Sequence, residues 1–233
     1  MLNNDEILRA IKGGLIVSCQ ALSDEPLHSP YIMSRMAYAA AEGGAKGIRA
    51  NTVEDITEIK KTVNLPVIGI IKRVFDDSDV YITPTLNEVD ALCECGAEII
   101  AIDATKRKRP GGESLADFFK MVREKYPHQL FMADTSCFEE GKEARGMGFD
   151  IVGTTMSGYT EYTRGRSLPD FELMERYVTE LDCPVIAEGG IWTPEQLRTA
   201  LNTGVHCAVV GTAITRPREI TRKFAKETEG SVL

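Results

Sequence analysis

The sequence predicts an α/β fold: a parallel eight-stranded (β/α)8 barrel, or TIM barrel, with an extra N-terminal helix. Three observations lead there. Short apolar runs alternate with helical patterns eight times along the chain. The runs are nearly continuous in apolar residues, as strands buried on both faces require. The length, 233 residues, is close to the roughly 250 of one barrel domain. No linker, low-complexity tract or charge block divides the chain, so a single domain over residues 1–233 is expected.

The elements follow in order. Residues 2–12 read as an amphipathic helix placed to plug the barrel's N-terminal end. The strands are expected at residues 14–20, 46–50, 67–72, 98–104, 130–135, 151–156, 185–188 and 208–212. Helix starts between them carry capping signals. Thr193-Pro194-Glu195-Gln196 offers an N-cap threonine, a proline at the first helical position and a capping glutamine. Thr85 with Glu88, Ser136 with Glu139, and Ser167 with Asp170 have the same spacing. Helices end near Gly43-Gly44, Gly96, Gly148 and Gly204. An open doubly wound sheet fits less well, because no GxGxxG follows the first strand and no GxxxxGK[ST] occurs.

Composition sets bounds. The chain is 43% hydrophobic and 27% charged, as in ordinary globular enzymes. No apolar run approaches the ~20 residues of a membrane span, and the acidic, polar start is not a secretory signal. A net charge of −8 argues against nucleic acid as a partner. The six cysteines form no CxxC spacing and read as small buried hydrophobes in a reducing cytoplasm. None of the three histidines, His28, His128 and His206, ends a strand or shares ligand spacing with another, so no metal is expected. No GxSxG turn points to a serine hydrolase.

Barrel enzymes place their chemistry at the C-terminal ends of strands. Here those ends carry Ser18-Cys19-Gln20, Arg49, Lys72, Asp103, Asp134, Thr154-Thr155, Glu188 and Gly211-Thr212. Lys72 follows Val67-Ile68-Gly69-Ile70-Ile71; a partly desolvated lysine has a lowered pKa and suits acid/base work. Glu188 lies between Val185-Ile186-Ala187 and Gly189-Gly190, where burial raises a carboxyl pKa. The two glycine-bearing turns, Gly189-Gly190 and Gly211-Thr212, follow strands seven and eight, where barrels build phosphate sites. Arg216 could reach that phosphate or lie on a helix surface. Arg49 could hold a substrate oxygen or form an ion pair. Asp103 and Asp134 could bind sugar hydroxyls, orient Lys72, or pair with cations. The run 106–109 could attract an anion to the barrel mouth or be a solvated loop.

Several motifs then carry a resemblance from about residue 14 to 218. They include Ser18-Cys19-Gln20-Ala21, Gly47-Ile48-Arg49-Ala50 and Pro66-Val67-Ile68-Gly69-Ile70-Ile71-Lys72. Others are the DATxRxRP element from Asp103 to Pro110, Ser157-Gly158-Tyr159-Thr160, Ala187-Glu188-Gly189-Gly190, and the final Gly211-Thr212-Ala213-Ile214 turn. The chain resembles the N-acetylmannosamine-6-phosphate 2-epimerases, also called N-acylglucosamine-6-phosphate 2-epimerases, of bacterial sialic-acid catabolism. The resemblance implies a cofactor-independent isomerase acting on a phosphorylated N-acetylhexosamine in amino-sugar metabolism, and a homodimer. It implies Lys72 and Glu188 as the catalytic pair. It implies Gln20, Arg49, Asp134 and Tyr159 near the sugar, with Gly189, Gly190, Gly211, Thr212 and Arg216 around the phosphate. Two other readings stay open on the residues alone. One is a lyase using Lys72 as a Schiff base; the other is a non-catalytic phosphosugar-binding barrel.

Overall fold

In a computed structural model, which describes residues 2–228, eight strands close into a barrel in chain order. They are β1 (Leu15–Cys19), β2 (Gly47–Asn51), β3 (Val67–Ile70), β4 (Ile99–Asp103), β5 (Leu130–Asp134), β6 (Ile151–Gly153), β7 (Val185–Glu188) and β8 (Cys207–Val210). Every pairing is parallel, and β1 pairs with β8 to complete the ring. The helices are α1 (Asn4–Ile11), α2 (Pro30–Glu42), α3 (Val53–Thr62), α4 (Leu86–Glu94), α5 (Leu115–Lys125), α6 (Phe138–Met147), α7 (Phe171–Glu180), α8 (Pro194–Asn202), α9 (Thr212–Thr215) and α10 (Pro217–Lys226). Met1 and residues 229–233 of the expected domain lie outside the described residues.

Continuous apolar strands serve two cores at once. One set of side chains, including Ile16, Ile68, Ile70, Ile99, Met132, Ile151 and Ile186, fills the barrel interior. The alternate set, including Val17, Ile48, Val67, Ile100 and Phe131, meets the surrounding helices. Ile7 and Ile11 of α1 join the interior set and close the lower end of the barrel. His206 Nε2 pairs with the Leu8 carbonyl at 2.8 Å and ties that plug to the start of β8. His206 is therefore structural.

Several boundaries differ from the sequence expectation. The ladder of β3 stops at Ile70, two residues before Lys72, because Lys72 forms an antiparallel bridge with Ile82. The β6 ladder stops at Gly153, and Met156 turns back so that its N–H donates to the Thr135 carbonyl. At Gly211 (φ −113°, ψ −89°) the chain leaves the extended region, so Gly211 and Thr212 open α9 instead of ending β8. The capping boxes of α4 (Thr85, Glu88) and α8 (Thr193, Gln196) form as expected. That of α6 is shifted by one residue to Cys137 and Glu140. For α7, Asp170 itself is the N-cap, accepting from the Leu173 N–H at 3.1 Å.

One irregularity shapes the top of the barrel. Strands β3 and β4 pair only at Ile68↔Ile99 and Gly69↔Ile100. Above that point the loop after β3 folds back and fills the gap. Thr83 N–H donates to the Ile71 carbonyl at 2.8 Å, and Asp103 N–H donates to the Ile82 carbonyl at 3.0 Å. Arg109, 2% exposed, braces this insert. It donates to the carbonyls of Asp103, Thr83 and Pro84 at 2.7–3.0 Å, and its guanidinium stacks 4.0 Å from the Phe118 ring centre. The 106–109 run is thus a brace at Arg107 and Arg109 more than an anion funnel. Arg109→Ala would leave three carbonyls without their donor. It should cost about 3–5 kcal/mol of stability, read from urea unfolding; a loss under about 1 kcal/mol would contradict the brace.

Candidate active site

The C-terminal ends of the strands surround a cavity of about 330 Å³. Ten of the eleven residues singled out above line it: Gln20, Arg49, Lys72, Tyr159, Glu188, Gly189, Gly190, Gly211, Thr212 and Arg216. The eleventh, Asp134, is fully buried beneath Arg49 and does not reach the cavity wall. Asp103 is not at the cavity either. It is buried and paired with Arg107, and it accepts from Thr105 N and Oγ1. Its role is the structural ion pair.

Arg49 is the centre of the polar network. It is 1% exposed, and its Nη2 and Nη1 reach Asp134 Oδ2 and Oδ1 at 2.6 and 3.2 Å. The same Nη1 also donates to Glu188 Oε2 at 2.8 Å. Thr155 Oγ1 donates to Asp134 Oδ1 at 2.6 Å and lies 3.3 Å from Glu188 Oε2. Burial lowers the guanidinium pKa, but the charges of Asp134 and Glu188 outweigh it and push the value up. Arg49 stays a cation.

Glu188 ends β7 with its side chain 14% exposed to the cavity. Burial raises its pKa to about 7, against the opposing pull of Arg49 and with a further push from Asp134. Lys72 comes from the opposite side of the ring, since β3 and β7 are four strands apart in a barrel of eight. Its backbone N–H is held by Asn51 Oδ1 at 2.8 Å. Burial first, then the charges of Arg49 and Arg216, lower the ammonium pKa to about 8. No ion pair or hydrogen bond ties that ammonium to another described residue. Each of the two groups carries an electrostatic effect from the other.

On the β7–β8 side, backbone N–H donors and a guanidinium come together. Gly189 (φ 108°) and Gly190 (φ 74°) turn the chain in the left-handed region, which favours glycine. A Cβ on Gly190 would lie 2.4 Å from Leu168 Cβ. Among the described residues neither glycine N–H has an acceptor. The first-turn N–H groups of α9 have none within the helix. Arg216 stands beside them. Its Nε and Nη2 are held by Glu25 at 3.0 and 2.5 Å, which leaves Nη1 free. Glu25 also accepts from Leu22 N–H at 2.9 Å and from Arg218 at 3.1 Å. Its own pKa is lowered: burial raises it, but the bonds and charges of Arg216, Leu22 and Arg218 win.

Sequence reasoning passed over Glu25, Tyr81, Ile82 and Trp192, which also line the cavity. Loop residues carry no periodic signal. The length of the segment between β3 and α4, residues 71–85, was the available clue, because βα loops usually run 2–6 residues and longer ones are often functional.

Comparisons with known proteins give the chain a family and its fold a counterpart. Residues 33–230 match the model of the family described as "Putative N-acetylmannosamine-6-phosphate epimerase". The chain is similar to a protein from Caldanaerobacter subterraneus subsp. tengcongensis named "Putative N-acetylmannosamine-6-phosphate 2-epimerase". The two are 56% identical over 94% of this chain and 92% of the relative. A protein of the same name from Clostridioides difficile (strain 630) is 57% identical over 96% of this chain and 99% of its own length. Among solved structures, the N-acetylmannosamine-6-phosphate 2-epimerase from Clostridium perfringens superposes with a TM-score of 0.92. It is 54% identical, and the match covers 97% of this chain and 98% of that one. With the family match and these identities both extending over most of its length, the chain belongs to the N-acetylmannosamine-6-phosphate epimerase family.

Proposed function

We propose that this protein interconverts N-acetylmannosamine 6-phosphate and N-acetylglucosamine 6-phosphate by removing and returning the proton at C2. One observation carries the mechanism: a single cavity joins an anion end at β7–β8 to a lysine lowered to about 8 and a carboxyl raised to about 7. The names its relatives carry support the substrate.

The chemistry follows from the substrate. The C2 proton is acidic only when C1 is an aldehyde, so the sugar must be in its open form. A base then takes the C2 proton, and the C2–H electron pair moves into C1–C2 while negative charge develops on O1. Donors aimed at that charge lower the barrier, and Arg49 and the Lys72 ammonium are the cations at hand. The acid on the other face returns a proton to C2 with inverted configuration. Lys72 and Glu188, from opposite strands, supply one group to each face. In one direction Glu188 is the ionised base and Lys72 the acid; in the other the roles exchange. Both forms hold one proton on the pair. The phosphate rests on the free N–H groups of Gly189, Gly190 and α9 and on Arg216, with Gln20 and Tyr159 at the sugar. Asp134 acts from beneath by sharing Arg49 with Glu188.

The reading is of one domain running a cofactor-independent proton transfer. Resemblance to the family further supports a cytoplasmic place in sialic-acid breakdown and a homodimer. No helix among the described residues is long and apolar enough to cross a membrane. Helix α10 buries none of its residues and leaves Phe224 72% exposed, which suits a contact between subunits.

Three outcomes follow. Lys72→Met and Glu188→Gln should each abolish conversion of N-acetylmannosamine 6-phosphate to its C2 epimer, followed by NMR in D2O as C2-deuterated product. Product formation at the wild-type rate in either variant would remove that residue from the mechanism. The pH profile of kcat/KM should be a narrow bell. Below about 7 both groups are protonated and no base is present; above about 8 both have lost their protons and no acid is present. A flat profile from pH 6 to 9 would contradict the shared-proton pair. Arg216→Met should raise KM roughly 10- to 100-fold with a smaller effect on kcat, the size expected for a charged phosphate contact. An unchanged KM would move the phosphate elsewhere.

A further inference from the structure

One wall of the cavity has no task in this chemistry. Tyr81, Ile82 and Met156 line it. Ile82 and Met156 are 2% and 1% exposed and belong to the barrel-interior core; Tyr81 packs on the same core. Among the described residues the Tyr81 hydroxyl meets only Met156 Sδ, at 3.8 Å, and a thioether is a weak acceptor. A half-buried phenol usually has an oxygen or nitrogen partner. Here no oxygen or nitrogen of the described residues meets it, and Tyr81 lines the cavity.

The ring is held firmly. Arg73 N–H donates to the Tyr81 carbonyl at 2.9 Å, and the next two residues are threaded between β3 and β4. The Arg107 guanidinium, paired with Asp103, sits 5.6 Å from the Tyr81 ring centre. Burial and then the Asp103 charge push the phenol up to about 12, against the weaker effect of Arg107. At neutral pH the hydroxyl is a donor.

Position relative to the sugar decides what it donates to. The anion end lies at β7–β8, and the Tyr81–Ile82 segment arrives on the β3–β4 side. Ile82 is bridged to Lys72. A sugar anchored by its 6-phosphate, with C2 at Lys72, therefore directs its C2 substituent toward this wall. An acylamino group has a carbonyl oxygen that wants a donor and a methyl group that wants apolar surface. We propose that Tyr81 donates its hydroxyl to the acyl carbonyl of the C2 substituent while Ile82 and Met156 seat the methyl. The wall thereby selects 2-acylamino sugar phosphates over plain hexose phosphates. This inference rests on the epimerase reading above.

The test is Tyr81→Phe, which keeps the ring and removes a hydroxyl whose one partner among the described residues is a sulfur. The KM for N-acetylmannosamine 6-phosphate should rise about tenfold with kcat within about twofold, the size of one lost hydrogen bond. The inhibition constant of glucose 6-phosphate, which lacks the acylamino group, should stay within about twofold. An unchanged KM, an equal loss for both sugars, or a fall in kcat at constant KM would each overturn the assignment. A second measurement needs no variant. Wild-type protein should bind N-acetylglucosamine 6-phosphate at least about tenfold more tightly than glucose 6-phosphate, and equal affinities would also overturn it. Failure of the wild-type protein to exchange the C2 proton would instead sink the epimerase reading, whatever Tyr81 does.

Discussion

Arg49 lies inside the top of the barrel with a carboxylate on two sides of its guanidinium, and the character of the cavity depends on that sharing. A buried cation and a buried carboxylate are costly to desolvate and are weak evidence of stability by themselves. Their value here is electrostatic. Asp134 takes the closer, two-pronged contact, so Arg49 cannot commit fully to Glu188. Without Asp134 the guanidinium would belong to Glu188 alone and would hold that carboxyl ionised. With it, burial prevails and Glu188 rises to about 7. Arg49 also lowers the Lys72 ammonium, after burial, to about 8. One guanidinium thus helps bring an acid and an amine to nearly equal proton affinity. The proposed reaction, which runs in both directions over one carbon, needs that balance.

The barrel supplies the geometry. Strands three and seven of a ring of eight are opposite one another, so groups at their ends address two faces of whatever sits between. The ladder between β3 and β4 is short, and the chain fills the gap with residues 81–83 instead of opening the sheet. That insert is what brings aromatic and aliphatic side chains to the mouth beside Lys72. Arg109 holds it by three carbonyls, and Arg107 backs its ring from behind.

Much of this was legible from residues alone, and the gaps have physical causes. The eight strands were readable because burial on both faces leaves an unbroken apolar run. Their upper limits were overestimated at β3, β6 and β8, because apolar character continues past the last ladder bond at Ile71 and Met156, and because Gly211 breaks the extended path. Strand-end residues marked the cavity well, since the last inward position of a barrel strand points at its mouth. Depth was not legible: Arg49 sits mid-strand in β2 and Asp134 ends β5, yet Arg49 lines the wall and Asp134 lies under it. Asp103, Arg107 and Arg109 formed a distinctive string whose purpose was hidden, because Arg109 meets the Thr83 and Pro84 carbonyls and Arg107 the Tyr81 ring, in a loop remote in sequence. Glu25 and Tyr81 were missed for a related reason. Each acts through contacts with distant residues, Arg216 and Met156, that no local pattern announces.

The central claim is that two different groups, one on each face, handle the proton at C2. The direct measurement is the isotopic content of product and recovered substrate after early turnover of N-acetylmannosamine 6-phosphate in D2O. A two-group mechanism predicts product carrying deuterium at C2 from the first turnover while unreacted substrate keeps its protium. Product that retains the original proton at C2 would contradict the account.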